Sequence, residues 1–207
     1  MSKELVFYTN PQSRGSIVQW MLEELGVDYR TVVLEYDTSM KAPEYLAVNP
    51  MGKVPAIQHG DTIVTETAAI CAYLADAFPE AGLAPEPGDR GSYYRWMFFA
   101  ASCVEQAWTN QAAGFIPTAE QQRMFGYGSF EATVNTLAGA VAGRRYIAGD
   151  KFTAADVYVG RSIWFGMQFG MMAGRPEFVS YWDGLKDRPA LARADEKTAQ
   201  LTAQMQG

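Results

Sequence analysis

Two short segments of this chain combine residue types that can bind a small peptide. In the first, Asn49 to Pro55, the pair Val54-Pro55 comes directly before the apolar residues Ala56 and Ile57. Because proline cannot donate a hydrogen bond to a sheet, it belongs at the first residue or at the edge of a strand. An X–Pro bond at such a corner is a candidate for the cis form. A cis corner would turn the backbone of Val54 outward and leave its N–H and C=O free to pair with an extended peptide.

The second segment begins eleven residues after Pro55, where Glu66 and Thr67 precede a run of helical period that starts at Ala69. At a helix N-terminus, unpaired backbone N–H groups and the helix dipole favour a bound carboxylate. On its own, an acidic residue followed by a hydroxyl residue is an ordinary helix start. In combination with the corner at Val54, it predicts a site that binds a small extended peptide.

The elements that must position these segments follow from the pattern of the first 80 residues, which alternates between strand and helix. Apolar runs and a hairpin pattern predict strands at 5–8, 31–34, 56–58 and 62–64, and helices are predicted at 17–25, 43–46 and 69–77. Gly26 and Pro79 follow the first and the last of these helices and are typical of helix ends. The order β-α-β-α-β-β-α is similar to that of a thioredoxin-like domain.

A change of pattern separates a second domain from the first. Residues 81–89 contain two prolines and two glycines, which predicts a linker between a domain at 1–80 and a domain at 89–207. In the second domain, apolar residues from Trp96 to Trp108 recur at spacings of three and four residues. Thr153 to Asp156 has the spacing of a capping box. These patterns predict an all-helical bundle.

Composition limits the kinds of partner and compartment. The chain has 207 residues and a net charge of −6, which argues against a nucleic-acid partner. No segment approaches the roughly 20 apolar residues of a membrane-spanning helix, and the sequence from Met1 to Glu4 lacks the apolar region of a signal peptide. Cys71 and Cys103 are expected to be small core residues in a reducing compartment, and one histidine favours neither a metal site nor a Ser-His-Asp triad. A cytoplasmic location is therefore expected.

The order and spacing of residues 49–70 resemble the glutathione-binding half of the cytosolic, bacterial-type glutathione S-transferase family. The resemblance extends over nearly the whole chain. It implies an N-terminal thioredoxin-like βαβαββα domain that binds glutathione and a C-terminal helical bundle domain that contributes a hydrophobic substrate pocket. It also implies a homodimer, since members of this family usually form two-fold dimers.

The same resemblance assigns parts of the ligand to individual residues. The Glu66 carboxylate and the Thr67 hydroxyl and amide would hold the γ-glutamyl end of glutathione. The backbone of Val54, beside Pro55, would pair with the cysteinyl unit. Lys53 and Lys41 are candidates for the glycine carboxylate, although either is also compatible with an ordinary surface lysine.

The thiol of bound glutathione must lose its proton, because the thiolate is the nucleophile. A pKa shift of about two units requires about 2.7 kcal/mol. A hydroxyl bonded to the thiolate would supply about 1.5–3 kcal/mol and a helix N-terminus roughly 0.3–1 kcal/mol. The loop from Thr9 to Gly15 offers both. Relatives use a tyrosine at the strand end, or a serine or cysteine in the loop. The first candidate for the catalytic donor is Ser13, which lies where the loop meets the helix. Asn10 is the second candidate and Tyr8 the third.

A hydrophobic co-substrate needs an apolar pocket beside the thiolate. Most aromatic residues of the helical domain are expected in the core, and some of them are expected to line this pocket together with adaptable methionines. The candidates are Tyr93, Trp96, Phe99, Trp108, Phe115, Trp164, Phe165 and Phe169, with Met167, Met171 and Met172. The sequence does not distinguish which of them face the pocket.

The predicted function is that of a detoxifying glutathione transferase, which activates glutathione for attack on small hydrophobic electrophiles. No metal and no bound organic cofactor is predicted, since glutathione is itself the co-substrate. One alternative is a glutathione-dependent disulfide reductase or peroxidase, but the loop has no cysteine, so its chemistry would have to use two glutathione molecules. The other alternative is a non-catalytic glutathione-binding interaction module, because this fold is also used for binding alone.

Overall fold

Four short strands pair into one mixed sheet in the computed structural model, which describes residues 3–206. The strands are β1 Leu5–Thr9, β2 Arg30–Val33, β3 Ala56–His59 and β4 Thr62–Thr65, in the spatial order β2-β1-β3-β4. β1 and β2 are parallel, with Val6 opposite Arg30, whereas β1–β3 and β3–β4 are antiparallel. The helices of this part are α1 Gly15–Leu25, α2 Pro43–Leu46 and α3 Thr67–Ala77. The predicted thioredoxin-like order is confirmed.

Buried apolar side chains hold the helices against the sheet. Phe7 on β1 and Ile57 on β3 are adjacent partners and are fully buried, as are Trp20 on α1 and Ile70 on α3. The N–H of Gly26 donates to the Leu22 carbonyl from a left-handed conformation, which ends α1 as its sequence predicts. These contacts direct the C-terminal end of β1 into the loop that precedes α1.

The rest of the chain is helical. The further helices are α4 Gly91–Phe99, α5 Glu105–Ala112, α6 Gln121–Met124, α7 Phe130–Val141, α8 Ala154–Gln168, α9 Pro176–Asp183 and α10 Pro189–Gln206. The predicted fold class is therefore confirmed. In the part of the chain that the structure describes, no helix combines the length and the apolar character needed to span a membrane.

Packing divides the chain into two units. The first contains the residues up to Ala81 together with those from Arg188 onward, and the second is Gly82–Asp187. The division therefore differs from the predicted domains at 1–80 and 89–207 in the position of the last helix, since α10 packs on α1. The sequence analysis included this segment in the all-helical domain at 89–207, but no local pattern indicates which helix it packs on.

Ion pairs with α1 explain why α10 belongs to the first unit. Glu24 accepts two hydrogen bonds from the Arg188 guanidinium, with N–O distances of 2.6 and 2.8 Å. The neighbouring Glu23 is buried, and its carboxylate receives Lys197 Nζ at 2.6 Å and Arg193 Nε at 3.3 Å. A buried carboxylate requires such partners, because burial of an unpaired charge is costly.

A π-helical turn, Ala100–Val104, joins α4 to α5. Along this continuous segment Trp96, Val104 and Trp108 are buried, but Cys103 is only half-buried, in contrast to the core position expected for it. The wider π turn shifts the helical phase, so a residue that the 3.6-residue period places inside is rotated outward. Cys71, on α3, is fully buried as expected, and burial raises the pKa of its thiol to about 12.

The predicted capping box begins α8. The Asp156 carboxylate is fully buried and accepts hydrogen bonds from the backbone N–H groups of Thr153 and Ile147, both at 2.8 Å, and from the Tyr181 hydroxyl at 2.6 Å. The Thr153 side chain accepts from the N–H of Ala155. One carboxylate thus connects the start of α8, the preceding loop and α9.

Asp156→Ala should lower the free energy of unfolding by about 3–5 kcal/mol, because it leaves buried donors of Ile147, Thr153 and Tyr181 without an acceptor. Chemical denaturation followed by circular dichroism measures this loss. Thr153→Ala is the matched comparison, since it removes the helix cap and only one donor to the carboxylate, the Thr153 hydroxyl at 3.1 Å, and should cost about 1–2 kcal/mol. Equal losses in the two variants would contradict the structural role of the carboxylate.

The Glu23 ion pairs should make stability depend on pH. Burial raises the pKa of Glu23, but the hydrogen bonds from Lys197, Tyr29 and Arg193 together outweigh it and hold this pKa below its usual 4.5. A carboxylate with a lowered folded-state pKa stabilises the protein above its unfolded-state pKa, and this contribution is lost as pH falls through the folded-state value.

Glu23→Gln should therefore cost about 1–3 kcal/mol at pH 7, and the difference from the wild type should shrink below about pH 4. Urea denaturation at a series of pH values measures this difference in the free energy of unfolding. Glu4→Gln is the control, because the Glu4–Arg30 pair is exposed on both sides and should contribute under about 1 kcal/mol. A Glu23→Gln effect that stays constant from pH 7 to pH 3 would contradict the assignment.

Candidate functional site

The corner at Val54 has the predicted backbone geometry. The Val54–Pro55 peptide bond is cis, and Pro55 directly precedes β3. Within residues 3–206, neither the N–H nor the C=O of Val54 has a hydrogen-bond partner. Val54 is only half-buried, so these two groups are available to an extended peptide.

Hydrogen bonds from inside the unit hold the turn before this corner. The Asn49 side chain accepts from the N–H of Met51 at 3.1 Å and donates to the Lys53 carbonyl at 2.8 Å. The Tyr45 hydroxyl donates to the same carbonyl at 2.5 Å. Both Tyr45 and Asn49 are buried, whereas the Lys53 side chain is exposed. The peptide plane that leads into Val54 is therefore fixed by two side chains.

Lys41 supports the same turn through a hydrogen bond to the backbone of Gly52, which the chain approaches closely. The Lys41 ammonium donates to the Gly52 carbonyl at 2.8 Å. Gly52 has φ 56°, and a Cβ there would lie 2.8 Å from the Met40 carbonyl oxygen and 2.9 Å from Lys41 Nζ. Only glycine fits this position. The predicted binding residue Lys41 thus has a structural bond, while the Lys53 ammonium has no partner in the described part of the chain.

The start of α3 combines backbone strain with unpaired donors. Glu66 has φ 66° and ψ 117°, and it is the only residue other than glycine with positive φ in residues 3–206. Such a conformation costs about 1–3 kcal/mol and is found mainly at functional sites. The first helical bond runs from Ile70 to the Glu66 carbonyl, and no side chain caps the helix. The N–H groups of Thr67 and the next two residues therefore have no acceptor in the helix.

The loop between β1 and α1 is closed by the side chains that are candidates for the thiolate donor. Asn10 is buried, donates to the Leu34 carbonyl at 2.8 Å and accepts from the Gln12 N–H at 2.9 Å. Ser13 is half-buried, donates to the Asn10 carbonyl at 2.6 Å and accepts from the Gly15 N–H at 2.9 Å. Ser13 therefore lies at the start of α1, as predicted.

The third candidate, Tyr8, is half-buried at the end of β1. Its hydroxyl donates to Gln58 at 3.3 Å, and its ring lies 5.5 Å from the ring of Tyr45. Helix α1 follows closely, since a Cβ on Gly15 would lie 2.0 Å from the Thr9 hydroxyl oxygen. Glycine at this position lets the helix N-terminus approach the end of the strand.

Three residues near these segments were not among the predicted site residues. Tyr45 and Asn49 fix the Lys53 carbonyl, and the Tyr36 hydroxyl donates to the Gln12 carbonyl in the loop before α1. Asn49 had a local signal, because an asparagine before Pro-x-Gly is typical of a side-chain-closed turn. The phenols had none, since their acceptors are eight and 24 residues away in the sequence.

The helical unit contains a cavity of about 500 Å³. Its lining consists of Trp108, Gln111, Ala112, Phe130, Phe169, Gly170, Met171, Met172 and Ala173. Trp108, Phe169, Met171 and Met172 were among the predicted pocket residues. A Cβ on Gly166 would lie 2.8 Å from the Trp108 ring, so this glycine allows the indole to pack there. The size and aromatic lining suit a small apolar molecule.

The fold is that of a thioredoxin-like domain followed by a helical C-terminal region. A family model, "Glutathione S-transferase, N-terminal domain", matches residues 15–77. This N-terminal segment of the chain is therefore similar to the glutathione S-transferase family. Among residues 3–206, no three His, Cys, Asp or Glu side chains are grouped as metal ligands.

Glutathione transferases also match over most of the chain. Glutathione S-transferase 3 of Zea mays is 26% identical over 205 residues, which cover 91% of this chain and 92% of that protein. The crystal structure of a glutathione transferase from Methylococcus capsulatus matches with a TM-score of 0.79 at 25% identity, covering 95% of this chain and 99% of that one. A glutathione transferase homologue from Sulfitobacter with bound glutathione matches with a TM-score of 0.75 at 26% identity, covering 94% of this chain and 98% of that one.

Glu66→Gly should make the protein more stable and at the same time weaken its binding of glutathione. Glycine adopts positive φ without strain, so the free energy of unfolding should rise by about 0.5–1 kcal/mol. Loss of the carboxylate should weaken glutathione binding at least about tenfold, as for a hydrogen bond to a charged group. Thermal unfolding and isothermal titration calorimetry measure the two effects. A variant that is destabilised and binds glutathione as the wild type does would contradict both assignments.

Proposed function

We propose that this protein is a glutathione transferase that activates the glutathione thiol as a thiolate for attack on small hydrophobic electrophiles. The observation that carries the proposal is the Val54 backbone, which presents an unpaired N–H and C=O at a cis-proline corner. An extended peptide can pair with both groups through the main chain of one residue, as in the addition of a strand. The cysteinyl residue of glutathione is the central residue of a three-residue peptide and would take this position.

The two ends of glutathione would bind to groups on either side of this backbone. The Glu66 carboxylate would accept from the γ-glutamyl ammonium, and the hydroxyl and N–H of Thr67 would donate to its carboxylate, aided by the α3 dipole. The glycine carboxylate would be met by Lys53, which is exposed, and by Lys41. Lys41 uses one bond on Gly52 and retains further N–H donors.

Among the three candidate donors to the thiolate, Ser13 is favoured by its surroundings. Its hydroxyl bonds a neutral carbonyl, so rotation toward a thiolate would replace that bond with a stronger charge-assisted one. Asn10 is only 2% exposed and bonded at both ends of its amide, which favours a role in shaping the loop. Tyr8 is the alternative donor, because its bond to Gln58 is long at 3.3 Å.

We further propose that the protein acts in detoxification as a cytoplasmic homodimer, as its family resemblance implies. The exposed rings of Tyr94 and Phe98, one helical turn apart on α4, provide an apolar surface that a second copy would cover. The reductase alternative is less well supported, since burial makes the Cys71 thiol inert and no cysteine lies in the loop before α1.

A titration with glutathione at about pH 6, followed by thiolate absorbance in the ultraviolet, tests the proposal. The wild type should give a saturable thiolate signal. Ser13→Ala should reduce this signal and the rate of conjugation about 10- to 100-fold, while its glutathione affinity changes less than about threefold. Ser102→Ala is the matched control, because it removes an exposed hydroxyl in the helical unit.

Each other outcome has a defined meaning. Normal activity in Ser13→Ala with loss in Tyr8→Phe would move the donor role to Tyr8. Saturable binding by calorimetry without a thiolate signal would replace the transferase with a glutathione-binding module. The absence of binding by the wild type would overturn the assignment of the Val54 corner and the α3 start as a glutathione site.

A further inference from the structure

We propose that Tyr45 and Asn49 are positioning residues, which set the direction of the Val54 N–H for pairing with the cysteinyl unit of glutathione. The inference rests on the proposed function. Its basis is that the two side chains converge on one acceptor, the Lys53 carbonyl oxygen, at 2.5 Å from the phenol and 2.8 Å from the amide. Both side chains bond the Lys53 carbonyl, so they would act on the ligand through the backbone.

The link between the Lys53 carbonyl and the Val54 N–H is the peptide bond that they share. Among residues 3–206 the only cis bond is Val54–Pro55, so the Lys53–Val54 bond is trans. In a planar trans peptide the C=O and N–H point in opposite directions. Two donors on the carbonyl side therefore hold the plane and direct the N–H to the other side, where it has no partner within the described residues.

The two donors are themselves immobilised. Tyr45 is 3% exposed and packs with Leu34, Met40 and Ala56. Asn49 is 5% exposed, and its own N–H donates to the Tyr45 carbonyl at 2.8 Å. Burial also raises the pKa of Tyr45 to about 12, so the phenol keeps its proton throughout the range of an enzyme assay. A rigid donor pair keeps the carbonyl in one orientation before the ligand arrives.

Such preorganisation affects binding and not the chemical step. A backbone N–H that is already directed at the ligand loses little conformational entropy when the peptide binds. The main-chain bond would be equally strong in the ground state and in the transition state of thiol transfer. Its weakening should therefore raise KM for glutathione and leave kcat unchanged.

Tyr45→Phe and Asn49→Asp test the inference. The first removes only the hydroxyl, and the second keeps an oxygen that can accept from Met51 but removes the donor to Lys53. Each should raise KM for glutathione about tenfold, with kcat within about twofold of the wild type. The shift of the Val54 amide signal in 15N–1H spectra on glutathione saturation should also decrease.

Tyr73→Phe is the matched control, because its hydroxyl bonds His59 and not the turn. It should keep the wild-type KM and the wild-type Val54 signal. If the wild type binds glutathione and both test variants retain its KM and its Val54 shift, the positioning role is wrong while the proposed function stands. A parallel fall in kcat and melting temperature would assign the two residues to general stability and would also overturn the role. A wild type without affinity for glutathione would overturn both proposals.

Discussion

The structure around the candidate site depends on the Lys53 carbonyl, which is held by two buried side chains. A turn that ends in a cis proline cannot use the regular hydrogen bonds of a sheet, so its peptide groups need other partners. Tyr45 and Asn49 supply them from the interior of the first unit, and Lys41 supplies one to Gly52. Because these bonds satisfy the inner side of the turn, the outer groups at Val54 stay free for a ligand.

The other two segments of the site follow the same physical rule. The loop before α1 is closed on its inner side by Asn10 and Ser13, and α3 begins at Glu66 in a strained conformation without a side-chain cap. The loop is irregular backbone held by side-chain hydrogen bonds, and the α3 start leaves backbone N–H groups without an acceptor in the helix. This is the condition for a preorganised main-chain binding site.

Charged and polar contacts, and not apolar area alone, decide how the remaining helices are distributed. Glu23 and Glu24 on α1 attract three cationic side chains of the C-terminal segment, which adds α10 to the sheet-containing unit. In the helical unit the buried carboxylate of Asp156 joins α8 and α9 through its hydrogen bonds. The carboxylates of Glu23 and Asp156 can be buried because hydrogen-bond partners surround them.

The order of the elements, the capping box at Thr153 and the helix start at Glu66 could be predicted from the sequence, and Pro55 was identified as a candidate for the cis form. These features depend on neighbours a few residues apart, so local sterics and hydrogen bonding encode them. The thioredoxin-like order followed from the same local patterns.

The contacts between residues distant in sequence became apparent only from the folded structure. It assigned α10 to the first unit, moved Cys103 outward through a π turn and brought the Tyr45 hydroxyl onto the Lys53 carbonyl. Periodicity states which face of a helix is apolar but not which partner covers it, nor where the helical phase slips. The energy of such long-range contacts depends on three-dimensional proximity, which no local pattern contains.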